Sequence, residues 1–136
     1  DATGEYVDTD VPVIRLAEVY LNYAEAVLRG GTGGDRATAL GLINQLRTRA
    51  YGNTTGNITD GQLNLDFVLS ERSREMYWEG TRRTDLIRFK KYVSGYDWPF
   101  KGGVQNGTSV DANKVIFPIP NNIIVINPNL TQNPGY

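Results

Sequence analysis

Residues Glu71 to Phe89 read ERSREMYWEGTRRTDLIRF, and the parsing of this stretch decides the fold. It holds five arginines (Arg72, Arg74, Arg82, Arg83, Arg88) and four carboxylates (Glu71, Glu75, Glu79, Asp85) among large apolar residues. Asn64 is a helix cap, and Asp66 in the first turn suits the helix dipole, so a helix is predicted from there to about Glu79. Its ends are apolar (Leu65, Val68, Leu69; Met76, Tyr77, Trp78) and its middle is charged. With both ends buried, the central charges need partners, because an unpaired buried charge is very costly. Tyr77 and Trp78 are read as core. Gly80 fits a helix stop and Thr81 a cap for a further helix. That helix opens on Arg82 and Arg83, at the end where the dipole disfavours cations, so Glu75 or Glu79 is the expected partner across the glycine. Asp85 lies three residues from both Arg82 and Arg88 and can bridge them; Leu86, Phe89 and Val93 make the apolar stripe. The stretch reads as a structural ion-pair corner between two helices.

Upstream, Val13, Ala17, Tyr20, Leu21, Ala24, Val27 and Leu28 repeat at helical spacing, with Pro12 in a first turn and Asp10 as cap. Gly30-Gly31 stop that helix. Asp35 caps the next, whose stripe is Ala37, Leu40, Ile43, Leu46 and Ala50; it ends at Tyr51-Gly52-Asn53. Two antiparallel helices with a short turn and alanines at their contact form a hairpin of the tetratricopeptide type, although no second copy occurs at a period of about 34 residues. Residues 1–10 are polar and aperiodic, a loose lead-in, and 53–64 form a polar loop.

After Val93 only Asp97, Lys101, Asp111 and Lys114 are charged, while five of the six prolines and seven asparagines appear. Long helices are excluded there. Val115-Ile116-Phe117 is a candidate strand, paired with Tyr96-Asp97-Trp98, and Asn121 to Ile126 a short helical turn. Ile119, Ile123, Ile124, Ile126 and Leu130 make the tail sticky and are expected to lie over the helices. The fold class is therefore all-α: about four helices in hairpins, an irregular C-terminal segment, and a short β-hairpin within it. The 136 residues suit a single portion laid out as lead-in 1–10, helix pair 11–52, charged helix pair 64–93 and irregular tail 94–136.

Net charge is −1, so no global field favours nucleic acid. With neither cysteine nor histidine, disulfides, thiolate chemistry, Ser-His nucleophiles and nearly every zinc site are excluded. Asp8, Asp10, Asp60 and Asp66 do not match a calcium loop, and no phosphate-binding glycine motif occurs; no metal or cofactor is expected. Four sequons stand at Asn53, Asn57, Asn106 and Asn129. No apolar run of membrane-spanning length exists, and DATGEYVDTDVP is not a signal peptide. With no initiating methionine, the chain reads as a fragment.

RLAEVYLNYAEA (Arg15 to Ala26), INQLRTRA (Ile43 to Ala50), ERSREMYWEGTRRTDLIRF, FPIP (Phe117 to Pro120) and NPNLTQNPGY (Asn127 to Tyr136) occur in this order and spacing. Together they resemble the C-terminal end of the SusD/RagB family, surface glycan-binding lipoproteins of Bacteroidetes, over nearly the whole chain from Val11. The ending QNPGY resembles that family's C-terminus, which places the missing portion at the front. The resemblance implies tetratricopeptide-like helix pairs and a place at the outer face of the outer membrane on an N-terminal lipidated cysteine, absent here. It also implies a SusC-like TonB-dependent porin as partner, to which oligosaccharide or another nutrient is delivered without catalysis. In the best-known member starch is bound by an arc of aromatic side chains, most of which the resemblance places upstream, so its binding residues are not carried over to this sequence.

Two constellations are candidates for chemistry. A glycosidase needs two carboxyls about 5–10 Å apart, one of them poorly solvated. Each carboxylate of the charged stretch has arginines three or four residues away, which hold it ionised and argue against a general acid. Tyr96, Trp98 and Phe100 alternate along an extended segment, so their rings can share one face as a sugar platform. The alternative is that they anchor the tail. Three functions follow in order: glycan binding and delivery; a helical-repeat scaffold for protein partners; a hydrolase using the carboxylates near Glu75. On this reading Arg82→Ala or Asp85→Ala lowers stability and leaves ligand affinity alone.

Overall fold

The computed structural model describes Thr3, Gly4 and residues 12–136. The other lead-in residues, including the cap expected at Asp10, lie outside the described residues. The chain divides into two compact units, Asp1–Tyr77 and Trp78–Tyr136. Among the described residues there are five α-helices, several single 3-10 turns and no strand.

The first unit contains α1 (Leu16–Leu28), α2 (Arg36–Tyr51) and α3 (Leu65–Glu75), with α1 packed against both others. Its centre is Ala17, Leu21 and Ala24 from α1, Ala39, Ile43 and Leu46 from α2, and Val68 and Leu69 from α3. Full burial of a side chain such as Leu21, Ile43 or Val68 contributes about 1.5–3 kcal/mol relative to exposure. The alanines of α1 let its neighbours approach closely, which makes the α1–α2 pair a hairpin of the tetratricopeptide type. Local rules set most boundaries. The Asp35 carboxylate accepts from the Thr38 amide at 2.8 Å, and Asn64 accepts from the Phe67 amide at 2.9 Å. Gly52 ends α2 in the left-handed conformation at φ 71°, open to glycine without strain.

Three expectations are corrected in this unit. Helix α1 begins at Leu16 rather than near Pro12, because Arg15 is extended (φ −131°, ψ 157°) and its guanidinium reaches away to Glu75. Val13 is consequently exposed and not core. In α2 the inward alanine is Ala39, one helical step from the expected stripe, and Ala37 and Ala50 face water. Helix α3 ends at Glu75, not Glu79: Met76 leaves helical geometry (φ −101°, ψ 27°) and alone turns into the core. Tyr77 and Trp78 are therefore not core residues. Trp78 is 89% exposed, with a left-handed φ of 66° that costs a non-glycine residue about 1–2 kcal/mol.

The loop over 53–64 is firmly held. Asn44 donates from Nδ2 to the Ile58 carbonyl at 3.0 Å and accepts from the Ile58 amide at 2.8 Å. Arg36 donates to the Asp60 carboxylate and carbonyl and to the Leu63 carbonyl at 2.6 to 2.7 Å. These bonds pin Ile58 and Leu63, both buried, beneath the loop.

The second unit contains α4 (Arg82–Arg88), α5 (Asn121–Ile126) and irregular chain. The expected β-hairpin is absent among the described residues. Ala112–Val115 is a 3-10 turn, and the carbonyls of Lys114 and Val115, which a strand partner would have used, accept from Arg83 at 2.8 and 3.1 Å. The chain end is hemmed by side chains: Gln132 accepts from the Ile119 amide and donates to its carbonyl, both at 2.8 Å. Asn133 donates to the Phe117 carbonyl and the Tyr136 hydroxyl to the Ile116 carbonyl, again at 2.8 Å. The tail does not bury all its apolar residues as expected. Ile123, Val125 and Ile126 are exposed, since four consecutive apolar residues on a short helix point around its axis and cannot all be buried.

Candidate functional site

The charged stretch contributes to each unit separately. In the first, α3 carries Glu71 toward α2, where it accepts from Arg47 at 2.8 Å and from Arg74. Arg47 also lies over the rings of Tyr51 and Phe67, at 5.2 and 5.4 Å from their centroids. Arg72 donates to Asn22 of α1 at 2.7 Å, with Glu18 at 3.9 Å. Glu75, one turn beyond Glu71, accepts from Arg15 at 2.5 Å and from Arg49 at 2.6 Å. Its side chain is only 8% exposed. Burial pushes the Glu75 carboxyl up, but the hydrogen bonds and charges of Arg15 and Arg49 outweigh that and hold it below the ordinary carboxylate value. A carboxyl fixed in its ionised form is a poor general acid. Glu75 or Glu79 was the expected partner of Arg82 and Arg83; within the first unit Glu75 is held by Arg15 and Arg49, because a helix three turns long aims residues 71 and 75 at its neighbours.

In the second unit, Asp85 is fully buried and accepts from Arg88 at 2.7 Å. Arg82 and Arg83 do something the ion-pair reading did not include. The Arg82 guanidinium lies 4.9 Å from the Tyr96 ring centroid, and that of Arg83 lies 5.1 Å from Tyr92 and 4.0 Å from Phe117. Aromatic faces take both cations and two backbone carbonyls take Arg83, which helps the first turn of α4 to tolerate them despite its dipole. Glu79 is exposed in the segment between α3 and α4.

Arg82, Arg83, Leu86, Tyr92, Tyr96 and Trp98 line a cavity of about 420 Å³, a size common for small-molecule sites. Trp98 is the hinge of its aromatic wall, with ring centroids 6.4 Å from Tyr92 and 6.1 Å from Tyr96 at interplanar angles of 40° and 43°. The tilt makes the wall concave. Behind it stands Lys101, 2% exposed, whose Nζ donates to the Tyr96 carbonyl at 2.7 Å and to Asp97 at 2.8 Å, and lies 5.0 Å from the Trp98 ring centroid. This ammonium closes the 96–101 loop into a fixed turn.

Of the three aromatic residues singled out from sequence, Tyr96 and Trp98 come together in this cavity. Phe100 does not line it: its backbone is left-handed (φ 66°) and its ring is exposed. Sequence reasoning missed Tyr92, Leu86 and the two arginines as cavity residues. The available signal was the run of aromatics at 92, 96 and 98 following the arginine pair at 82 and 83. Among the described residues, no three acidic side chains gather as a metal site, and no helix is long and apolar enough to cross a membrane.

A helical chain carrying a ligand-sized, aromatic-walled cavity is what the fold and site define. The model of the SusD family matches residues 1–136, and the chain belongs to that family. It is 46% identical over 132 residues to the starch-binding protein SusD of Bacteroides thetaiotaomicron, covering 96% of this chain and 22% of the relative. It is also 32% identical to a SusD-like protein of Formosa agariphila, over 95% of this chain and 25% of the relative. A SusD-like protein of Bacteroides ovatus is 33% identical over 81 residues, 60% of this chain and 14% of the relative. The chain thus spans a quarter or less of the length of these relatives.

Proposed function

We propose that this chain belongs to a non-enzymatic protein that binds oligosaccharide at the outer-membrane surface and delivers it to a SusC-like TonB-dependent porin. The carrying observation is the concave wall of Tyr92, Tyr96 and Trp98 in a chain of the SusD family. Flat rings stack on the apolar face of a pyranose, and tilted neighbours follow the curve of a linked chain. The name of the 46% identical relative, a starch-binding protein, supports sugar as the ligand class. A non-enzymatic role is supported by the carboxylates: Glu75 is held ionised, and Asp85 is buried against Arg88. Attachment to the membrane would come through a lipid anchor outside this chain.

The test is calorimetric titration of the full-length protein with maltooligosaccharides, alone and as Trp98→Ala. Binding that falls at least about tenfold in the variant supports the reading; binding that survives intact moves the site elsewhere. Co-purification with a porin tests delivery. A second reading, a scaffold for protein partners, is favoured by one observation: Val13, Ile14, Leu16 and Val19 expose apolar surface at the start of α1. A protein blind to sugar that still co-purifies with the porin would favour it.

A further inference from the structure

Residues 132–136 do not line the cavity, yet their side chains hold the backbone on which one of its walls depends. Asn133 donates from Nδ2 to the Phe117 carbonyl, and the Tyr136 hydroxyl donates to the Ile116 carbonyl, both at 2.8 Å. The Lys114 ammonium lies 4.0 Å from the Tyr136 ring centroid, and a Cβ on Gly135 would stand 2.9 Å from the Asn113 side chain, so the two stretches are in close contact. The same run, 114–117, is also gripped by Arg83, which donates to the Lys114 and Val115 carbonyls and lies 4.0 Å from the Phe117 ring centroid. Arg83 lines the cavity, and its guanidinium lies 5.1 Å from the ring of Tyr92 in the aromatic wall. We infer that Asn133 and Tyr136 are positioning residues for the cavity: they fix 116–117 and, through that run, the plane of Arg83 and the tilt of Tyr92. This rests on the sugar-binding reading above and adds to it residues that act without touching the ligand.

The run from Lys114 to Phe117 has no strand partner among the described residues, so no ladder sets its geometry. Backbone groups outside regular structure find their partners elsewhere. Here four successive carbonyls, 114 to 117, each accept from a side chain: the first two from Arg83, the third from Tyr136 and the fourth from Asn133. Two distant stretches thus share one short run of backbone, and a shift of the run at one end displaces the bonds at the other. A guanidinium donates within its own plane while its face meets a ring. The positions of carbonyls 114 and 115 therefore orient the face that Arg83 presents to Tyr92. Stacking of a sugar on the wall depends on ring tilt, and a binding surface loses affinity when the contacts behind it loosen.

The experiment is a double-mutant cycle in the full-length protein, with a maltooligosaccharide as the probe. Asn133→Ala and Tyr136→Phe each remove one donor and leave Arg83 in place. Each is expected to weaken binding roughly two- to tenfold, the equivalent of one hydrogen bond. In an Arg83→Lys background, where the guanidinium plane is gone, the same two substitutions should cost much less, because the relay is already cut. Thermal melts establish that every variant is folded, and hydrogen exchange should rise at residues 114–117 in both single variants. Full affinity in folded Asn133→Ala and Tyr136→Phe overturns the inference, as do losses that simply add to that of Arg83→Lys. If maltooligosaccharide binding is absent or indifferent to Trp98→Ala, the sugar-binding reading falls. The same cycle read on hydrogen exchange at 114–117 then decides the relay: coupled effects support it and additive ones overturn it.

Discussion

The guanidinium carbon of Arg83 lies 4.0 Å from the centroid of the Phe117 ring, while the same side chain donates to the carbonyls of Lys114 and Val115. One residue on α4 thereby satisfies both the face of an aromatic and the backbone of a segment more than thirty residues away. The charge that opens α4 is thus a device for holding irregular chain.

Arg83→Ala removes the stack and leaves two carbonyls without their donor, so a loss of about 2–3 kcal/mol is expected. Arg83→Lys keeps the charge but not the plane and should lose roughly half of that. Chemical denaturation measures both, and hydrogen exchange should rise first around residues 114–117. A Lys variant as stable as the parent would show that the plane is irrelevant.

Much of the first unit was legible because its determinants are local. Asp35, Asn64 and Gly52 act within three residues of themselves, and the spacing of Leu21, Ala24, Ile43 and Leu46 marks buried faces directly. Of the pairs among the charges at 71–88, the local one between Asp85 and Arg88 was readable from its spacing of three residues, whereas the distant partners of Glu71 and Glu75 were not. Arg15 and Glu75 stand sixty residues apart, and nothing in the pattern distinguishes Arg15 from Arg82 as a mate. The aromatic partners of Arg82 and Arg83 were hidden for the same reason, and with them the cavity. Trp78 misled because hydrophobicity and helical spacing both pointed inward, whereas the backbone turns left-handed at that residue.

Lys101 positions the aromatic wall without lining the cavity. In Lys101→Met the methylene volume remains, but the Tyr96 carbonyl and Asp97 lose their donor, costing about 2 kcal/mol of stability. The loop should relax, shifting Trp98 fluorescence and weakening sugar binding several-fold. Unchanged fluorescence and affinity would remove Lys101 from the positioning role.

Gly107 sits at φ 78°, and a Cβ there would collide with the Trp98 carbonyl oxygen. Gly107→Ala therefore forces the Trp98 turn to shift and adds backbone strain, together about 1–3 kcal/mol. Gly61, where an added Cβ meets nothing and no positive φ is required, is the control. Gly61→Ala should be near neutral, and equal melting of the two variants would contradict the close approach.

Glu75 makes stability depend on pH in a defined direction. Its folded carboxyl lies below the ordinary value of 4.5, so the folded state binds the proton more weakly than the unfolded one. The stabilisation is complete above the unfolded value and is lost as pH falls through the folded one. Asp35, lowered by the hydroxyl and amide of Thr38, acts in the same direction. Glu75→Gln should be less stable at neutral pH by about 2–3 kcal/mol, because Arg15, itself partly buried, loses its counter-charge. The gap between parent and variant should then close as pH is lowered through the acid range, with the residual slope of the variant carried in part by Asp35. A gap that stays constant from neutral to acid pH would mean that Glu75 contributes packing and hydrogen bonds, but not charge.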